Sequence, residues 1–362
     1  MRIVVCILAL LLCWGRAEAC SSAIVSARAS KEGGVILWKH RDQTKTKDTR
    51  VAYFNDGKYS FTGLVNSYHS QSGTVYGGLN SAGFGVISTA TKNLKQGNGT
   101  NAEQATSNYS LSGVALRECA TVDEFEALLA RYPRKADFQS NIGVGDSQGG
   151  AAYFEIWGDG YRRYDVDERA EGYDIRTNFS FAGRDEERGP SERRYRTVEA
   201  QMRNKTSFSV GDFVGYSRSF FSADKGDILA DDTPAREGNY VVPRPSSVGC
   251  IVIVCGKNPH MEVAVGHPVA TFTVPVWVAA QKSIPKCIAG RGLFSLSSEF
   301  VAKAYKKQGK YTYLNKPLVR QVLKVKTKVV APAQMPKDIV AFNAKVDKVF
   351  EKHRQKIMRI LE

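Results

Sequence analysis

The chain has 362 residues, of which 43% are hydrophobic and 24% charged, and a formal net charge of +15 at pH 7. This length allows one large domain or two small ones with a substantial core. The positive charge favours anionic ligands and surfaces, but no nucleic-acid-binding motif accompanies it, so nucleic acid is not a predicted partner.

The first 19 residues have the pattern of a signal peptide, with Arg2 ahead of an apolar stretch from Ile3 to Trp14. Ala17 and Ala19 provide the small residues of a cleavage site, and cleavage after Ala19 would give Cys20 a free α-amine. We therefore expect a secreted or periplasmic protein. The main alternative is a non-catalytic lipoprotein anchored through Cys20, although such sites usually have Leu where this chain has Ala17.

The mature chain is predicted to begin with a β-hairpin. Small and β-branched residues from 21 to 27 are followed by a turn at 32–34 and by the apolar run 35–38. Further strands are predicted at 50–54, 76–79, 85–88, 151–157, 250–255 and 269–279, with helical spacing between 111 and 132. The charged segment 184–205 is expected to be a surface helix or loop.

The C-terminal third is basic. Nine Lys and Arg residues and no acidic residue lie between Val301 and Val330, and a solvated basic face is the favoured interpretation. After Pro332 and Pro336, an apolar stripe with Lys and Arg opposite it predicts an amphipathic helix over 337–362, docked on the main domain. Such a helix is one of two predicted routes to membrane contact, the other being a lipidated Cys20.

Five cysteines follow the predicted cleavage site. Cys250 and Cys255 are five residues apart in one apolar strand, so their side chains point to opposite faces and are expected to be free thiols. The remaining pairings are left open. No histidine is spaced from a cysteine pair as zinc ligands are, so no metal is predicted.

Cys20 is the leading candidate for chemistry. A thiol has a pKa about two units above neutral pH and its thiolate is a strong nucleophile. At an N-terminus the α-amine, with a pKa of about 7.7–8.0, can accept the thiol proton and later protonate the leaving amine.

Three blocks resemble the choloylglycine hydrolase family and its acyltransferase-like relatives, which are N-terminal nucleophile (Ntn) enzymes and include conjugated bile acid hydrolases and penicillin V acylases. They are residues 20–42, the Gly-x-Asn-x-x-Gly turn at 78–83, and the ordered motifs from 141 to 180. The resemblance covers roughly residues 20–280.

The resemblance implies roles for five residues. Cys20 is the nucleophile, Asp42 orients its amine, Asn178 in a Thr-Asn-x-Ser segment supplies an oxyanion donor, and Lys39 and Arg194 support charge in the pocket. Lys39 stands where relatives have Arg, so Arg41 is an alternative. Arg193 and Arg196 are alternatives to Arg194, and Asn178 also begins a glycosylation sequon.

The resemblance implies an α+β fold, the Ntn-hydrolase αββα sandwich, over residues 20–330 with a C-terminal helical tail. The expected reaction is hydrolysis of a linear, non-peptide amide of an N-acyl substrate, anionic substrates included, through a thioester and without a cofactor. An acyltransferase that uses the same acyl-enzyme is the alternative enzyme. Substrate identity and oligomeric state are not predicted.

Overall fold

A computed structural model describes residues 20–43, 48–98, 108–236 and 240–362, so the predicted signal peptide lies outside the described residues. The strands are β1 (Ser21–Val25), β2 (Val35–Asp42), β3 (Thr49–Phe54), β4 (Phe61–Asn66), β5 (Gly77–Asn80), β6 (Gly85–Ala90), β7 (Gln139–Gly145), β8 (Ala151–Trp157), β9 (Gly160–Asp165), β10 (Tyr173–Arg176), β11 (Phe221–Ser222), β12 (Gly226–Asp227), β13 (Ser247–Cys255), β14 (His260–Val265), β15 (Val274–Val276), β16 (Tyr305–Gln308) and β17 (Tyr311–Leu314). The helices are α1 (Asn108–Glu118), α2 (Val122–Arg131), α3 (Pro190–Met202), α4 (Val210–Tyr216), α5 (Lys286–Ala289), α6 (Gly292–Ala304), α7 (Lys316–Lys324) and α8 (Ile339–Leu361).

Two antiparallel sheets form the centre of the molecule. The six-stranded sheet has the order β10-β1-β2-β13-β14-β15, and the seven-stranded sheet runs from β3 to β9 in sequence order. β1 and β2 form the predicted hairpin, in which Ser22 is opposite Lys39. The longest predicted late strand, 269–279, is shorter than expected, because only Val274–Val276 pairs with β14.

Side chains alternate between the two faces of each sheet. In the six-stranded sheet, Ile24, Leu37 and Ile253 belong to a cluster between the sheets, whereas Ala23 and Trp38 face the helices α3 and α4. This alternation explains how a continuous apolar run such as β13 is buried on both sides.

Helices cover the outer face of each sheet. α1 and α2 pack on the seven-stranded sheet through Leu116 and Phe125, and α3 and α4 pack on the six-stranded sheet through Val198 and Phe213. The order helix, sheet, sheet, helix is the predicted αββα sandwich.

Glycines let the two sheets approach closely. A Cβ atom on Gly85 of β6 would lie 2.8 Å from Leu37 Cδ1 and 2.9 Å from Cys255 Sγ, and one on Gly143 of β7 would lie 2.9 Å from Ile24 Cδ1. The close approach of the sheets therefore depends on the absence of side chains at these two positions.

The C-terminal helices extend the core between the sheets. α8 is amphipathic, and its buried face includes Val346, Phe350 and Ile357, which join the same apolar cluster as the inter-sheet residues. Among the helices that the structure describes, none is both long and apolar enough to cross a membrane.

Candidate active site

Cys20 lies immediately before β1, between the ends of β2 and β10. Its side chain is only 2% exposed, and its Sγ atom lies 4.0 Å from the backbone oxygen of Asp42. The predicted nucleophile is thus buried at one end of the six-stranded sheet.

Two side chains bind the backbone of Cys20. The nitrogen of Cys20 donates to Asn178 Oδ1 at 2.7 Å, and Arg194 donates from Nη1 to the carbonyl oxygen of Cys20. Arg194 Nη2 also donates to Asn178 Oδ1, at 2.9 Å. Three residues that are far apart in the sequence therefore meet at one point.

The amide of Asn178 has a defined orientation. Its Oδ1 accepts the two bonds just described, and its Nδ2 donates to the carbonyl oxygen of Ala90 at 2.7 Å. Exchanging oxygen and nitrogen would place donors opposite donors, so the hydrogen-bond pattern fixes the assignment.

The structure separates the three candidate arginines of α3, a helix that starts with Pro190 at a position where proline is favoured. Arg194 is buried, whereas Arg193 and Arg196 are exposed and pair with Asp224. Burial, and then the nearby charge of Arg244, lower the pKa of Arg194 below its usual range. Of the three, Arg194 is the residue that contacts Cys20.

Asp42 is buried and surrounded by donors. Its Oδ2 accepts from Arg244 Nε at 3.1 Å and Nη2 at 3.0 Å, its Oδ1 accepts from Ser247 Oγ at 2.7 Å, and His40 Nε2 lies 3.4 Å from Oδ1. Burial would raise the pKa of Asp42, but the charge of Arg244 and the contacts with His40 and Ser247 hold it well below its usual range. Asp42 is therefore a carboxylate at neutral pH.

The placement of Asp42 differs from the expectation that it binds the Cys20 nitrogen. In the unprocessed chain this nitrogen is a peptide N–H with a single hydrogen, and that hydrogen goes to Asn178. Cleavage would add hydrogens to the nitrogen, so a contact with Asp42 remains a prediction for the processed chain.

Lys39 and Arg41 extend from β2 into the space between the sheets. Lys39 donates from Nζ to the carbonyl oxygen of Ser88 on β6, and Arg41 binds Thr49 at 3.0 Å and Asn66 at 3.1 Å. The structure thus places Lys39 on the same end of the sandwich as Cys20, with its ammonium directed to a backbone oxygen of the opposite sheet.

Sequence reasoning missed Arg244 and Ser247, which hold the carboxylate of Asp42. Arg244 stands between Pro243 and Pro245, just ahead of the buried strand β13. The sequence signal for Arg244 was a single charged residue between two prolines, just ahead of an apolar strand. Proline has a fixed φ, so such a segment has few backbone conformations.

A cavity of about 1190 Å³ adjoins this site. Its lining includes Arg244, so one side chain both contacts Asp42 and borders the cavity. Phe220, Val241 and Leu314 contribute apolar surface, and Arg193 contributes charge. The cavity is lined by apolar, cationic and acidic side chains, and among its lining residues Arg244 is the one that contacts Asp42.

The described residues contain no group of three or more His, Cys, Asp or Glu side chains arranged to hold a metal ion. The five described cysteines are free thiols. Cys250 faces the helices and Cys255 faces the opposite sheet, as their spacing in the sequence predicts.

No family model matches the sequence, and no curated protein matches it either. Solved structures with similarity to the chain include two variants of conjugated bile acid hydrolase from Clostridium perfringens. One is 11% identical with a TM-score of 0.45 and covers 67% of this chain and 89% of its own; the other is 10% identical with a TM-score of 0.44, at 68% and 89%.

Penicillin V acylase from Agrobacterium tumefaciens is 13% identical, with a TM-score of 0.44, and the match covers 70% of this chain and 85% of that chain. Both kinds of protein are among the relatives that the sequence motifs resemble. The function proposed below depends on the geometry around Cys20.

Proposed function

We propose that the protein is a secreted amide hydrolase whose nucleophile is Cys20, freed by cleavage after Ala19. The observation that carries the proposal is that Asn178 and Arg194 both form hydrogen bonds with the backbone of Cys20 and with each other. A buried Asn–Arg pair fixed on the backbone of a predicted N-terminal residue supports a role for that residue beyond packing.

In the first step, the α-amine takes the proton of the Cys20 thiol, and the thiolate attacks the carbonyl carbon of a linear N-acyl amide. An S–C bond forms while the carbonyl oxygen becomes negatively charged. We assign the stabilisation of that charge to the Asn178 amide, which the resemblance implies as a donor, and such donors contribute roughly 3–4 kcal/mol in hydrolases.

In the second step, the C–N bond breaks, and the proton held by the α-amine passes to the leaving nitrogen. The acyl group remains as a thioester on Cys20. Water then attacks the thioester and gives up a proton to the α-amine, and the S–C bond breaks to release the carboxylic acid and restore the thiol. All atoms and protons come from the substrate, water and Cys20.

The surroundings of the site support an N-acyl substrate. The cavity that Arg244 borders has apolar side chains, suited to an acyl group, together with side chains of both charges, suited to a polar group on the amine side. Asp42 is ionised and buried, so it is also available to bind the ammonium of a processed Cys20.

The test begins with intact mass and N-terminal sequencing of the exported protein, followed by hydrolysis assays with a panel of N-acyl amides. We expect a free Cys20 at the N-terminus and a loss of at least about 1,000-fold in kcat/KM for Cys20→Ala, because the nucleophile is removed. Cys119→Ala is the matched control, since it removes another buried thiol distant from the site and should keep the activity.

A lipid on Cys20, cleavage at another bond, or equal activity of Cys20→Ala and the wild type would contradict the proposal. Adding a competing amine to the assay shows whether the acyl group goes to water or to the amine, which separates a hydrolase from an acyltransferase with the same acyl-enzyme.

A further inference from the structure

The segment that follows β10 carries Asn178 and belongs to neither a helix nor a strand over residues 177–184. The shape of such a segment depends on the groups that bind its backbone. Here those groups are side chains from residues that follow or form the strands of the seven-stranded sheet.

Two buried asparagines bind the first half of the segment. Asn141 on β7 donates from Nδ2 to the carbonyl oxygen of Phe179 at 2.7 Å and to that of Thr177 at 3.2 Å, so it spans Asn178 on both sides. Asn93 accepts from the nitrogen of Ser180 at 2.7 Å and donates to the carbonyl oxygen of the same residue at 2.8 Å.

Glu155 on β8 binds the second half. Its Oε1 accepts from the nitrogen of Phe181 at 2.8 Å, and its Oε2 accepts from the nitrogen of Ala182 at 2.7 Å. Arg176, the last residue of β10, donates from Nε to the same Oε1 at 2.7 Å. Glu155 and Arg176 are both fully buried.

Glu155 therefore holds the segment on both sides of Asn178. Arg176 precedes Asn178 by two residues, and Phe181 and Ala182 follow it by three and four. A carboxylate that accepts several N–H donors in a buried site makes strong, geometrically restrictive bonds. Because Arg176 belongs to the six-stranded sheet, the same carboxylate also links the two sheets next to the site.

We propose that Glu155 is a positioning residue that fixes the amide of Asn178 against Cys20, and that Asn141 acts with it. The inference rests on the proposed function, in which Asn178 stabilises the oxyanion. Glu155 does not contact the reacting atoms and acts through the backbone of residues 176–182.

The chain offers a matched control on the same hairpin. Asp146, at the other end of the β7–β8 pair, is also a buried carboxylate that accepts backbone N–H groups, from Gln148 and Gly150 at 2.9 Å and Val122 at 3.0 Å. Its contacts hold a turn and a helix start that do not include a candidate site residue.

The experiment compares Glu155→Gln with Asp146→Asn. Each change keeps the shape of the side chain but places an amide NH2 opposite an N–H donor. We expect both variants to lose thermal stability. At a temperature where both are folded, Glu155→Gln should lose at least about 10-fold in kcat with KM changed less than about 2-fold, whereas Asp146→Asn should keep the wild-type kcat.

The alkylation rate of Cys20 by iodoacetamide is a second readout, with Cys20→Ala giving the background from other thiols. Glu155→Gln should change this rate at least about 3-fold and Asp146→Asn should not. Equal kcat and equal alkylation rates in the two variants would overturn the inference.

A wild-type protein that hydrolyses no N-acyl amide would defeat the proposed function. The alkylation rates would still decide whether Glu155 positions the Cys20 site.

Discussion

The space between the two sheets has two different halves, and β2 passes through both. In the first half, Val35 and Leu37 pack in the apolar cluster with Ile24 and Ile253. In the second half, the same face of β2 carries Lys39 and Arg41, which bind oxygen atoms of the opposite sheet.

Other strands show the same change. On the same face of β1, the hydroxyl of Ser22 accepts from Tyr153 at 2.9 Å, and Ile24 follows in the apolar half. Near Cys20, Arg176 and Glu155 join the sheets through a buried ion pair.

The two halves contribute different things: the apolar half stabilises the fold, and the polar half fixes the positions of its side chains. Apolar contacts between the sheets stabilise the fold by removing surface from water, whereas buried ionic groups must first recover the cost of losing hydration. The polar half therefore adds little net stability but defines the arrangement of its groups closely, and it is the half that contains Cys20.

The substitution expected to change activity most is Asn178→Ala, in the polar half. We expect kcat/KM to fall by about 100- to 1,000-fold, equivalent to about 3–4 kcal/mol, because the proposed oxyanion donor and the partner of the Cys20 nitrogen are both removed. Steady-state kinetics on the best N-acyl amide substrate measures this.

Asn343→Ala is the control, since Asn343 is also a buried asparagine that donates to a backbone oxygen, that of Lys282 at 2.6 Å, but lies on α8. A comparable loss of activity in both variants would show that general destabilisation explains the effect of Asn178→Ala.

Leu37→Ala should show the opposite behaviour, in the apolar half. Removing a fully buried leucine that packs against Gly85 leaves a cavity, and we expect the free energy of unfolding to fall by about 3 kcal/mol. The kcat of the folded protein should stay within about 2-fold of wild type. Urea denaturation measures the free energy of unfolding, and steady-state kinetics at low denaturant measures kcat.

Val330→Ala is the comparison for that variant, because Val330 is 65% exposed and its removal should change stability by less than about 0.5 kcal/mol. If Leu37→Ala lowered kcat as strongly as Asn178→Ala, the two halves would not be functionally distinct.

The apolar half could be predicted from the sequence, and the polar half only in part. The apolar runs at 35–38 in β2 and at 250–255 in β13 predict buried strands because short apolar runs between turn residues are typical of them. The contact of Arg244 with Asp42 joins residues 202 positions apart, and no local pattern encodes that distance. The motif resemblance identified Asn178 and Arg194 as candidates. It did not determine the register of α3, which buries Arg194 and exposes Arg193 and Arg196.

Glu155 and Glu262 show the same limit. Each has an apolar residue on both sides in the sequence, and both are buried, yet Glu155 accepts several hydrogen bonds while Glu262 Oε2 has no partner among the described residues. Sequence alone does not distinguish these two glutamates, since the difference depends on the segments that pack against them.

Glu262 leads to a prediction that concerns stability alone, the cost of a buried charge on the outer face of the six-stranded sheet, which it shares with Val252. Glu262 pairs across strands with Val252 and Pro275, and the charged groups that influence it are Glu32 and Lys328. Burial raises the pKa of Glu262 to about 8. At neutral pH the folded state therefore keeps a proton that the unfolded chain has lost.

The sign of the pH dependence follows from this difference. Because the folded-state pKa lies above the unfolded value, the contribution of Glu262 is fully present below about pH 4.5 and is lost as the pH rises to about 8. Glu262→Gln carries no such cost, so it should be more stable than wild type by about 3 kcal/mol at pH 7.

Denaturant melts of both proteins between pH 4 and 9 measure the effect. The stability difference should be small at pH 4, should grow between pH 4.5 and 8, and should then level off. Glu299→Gln, which changes an exposed glutamate, should follow the wild-type curve. A difference that is the same at every pH would mean that Glu262 is ionised in the folded protein, and that the outer face of the six-stranded sheet tolerates a charge as readily as the half around Cys20.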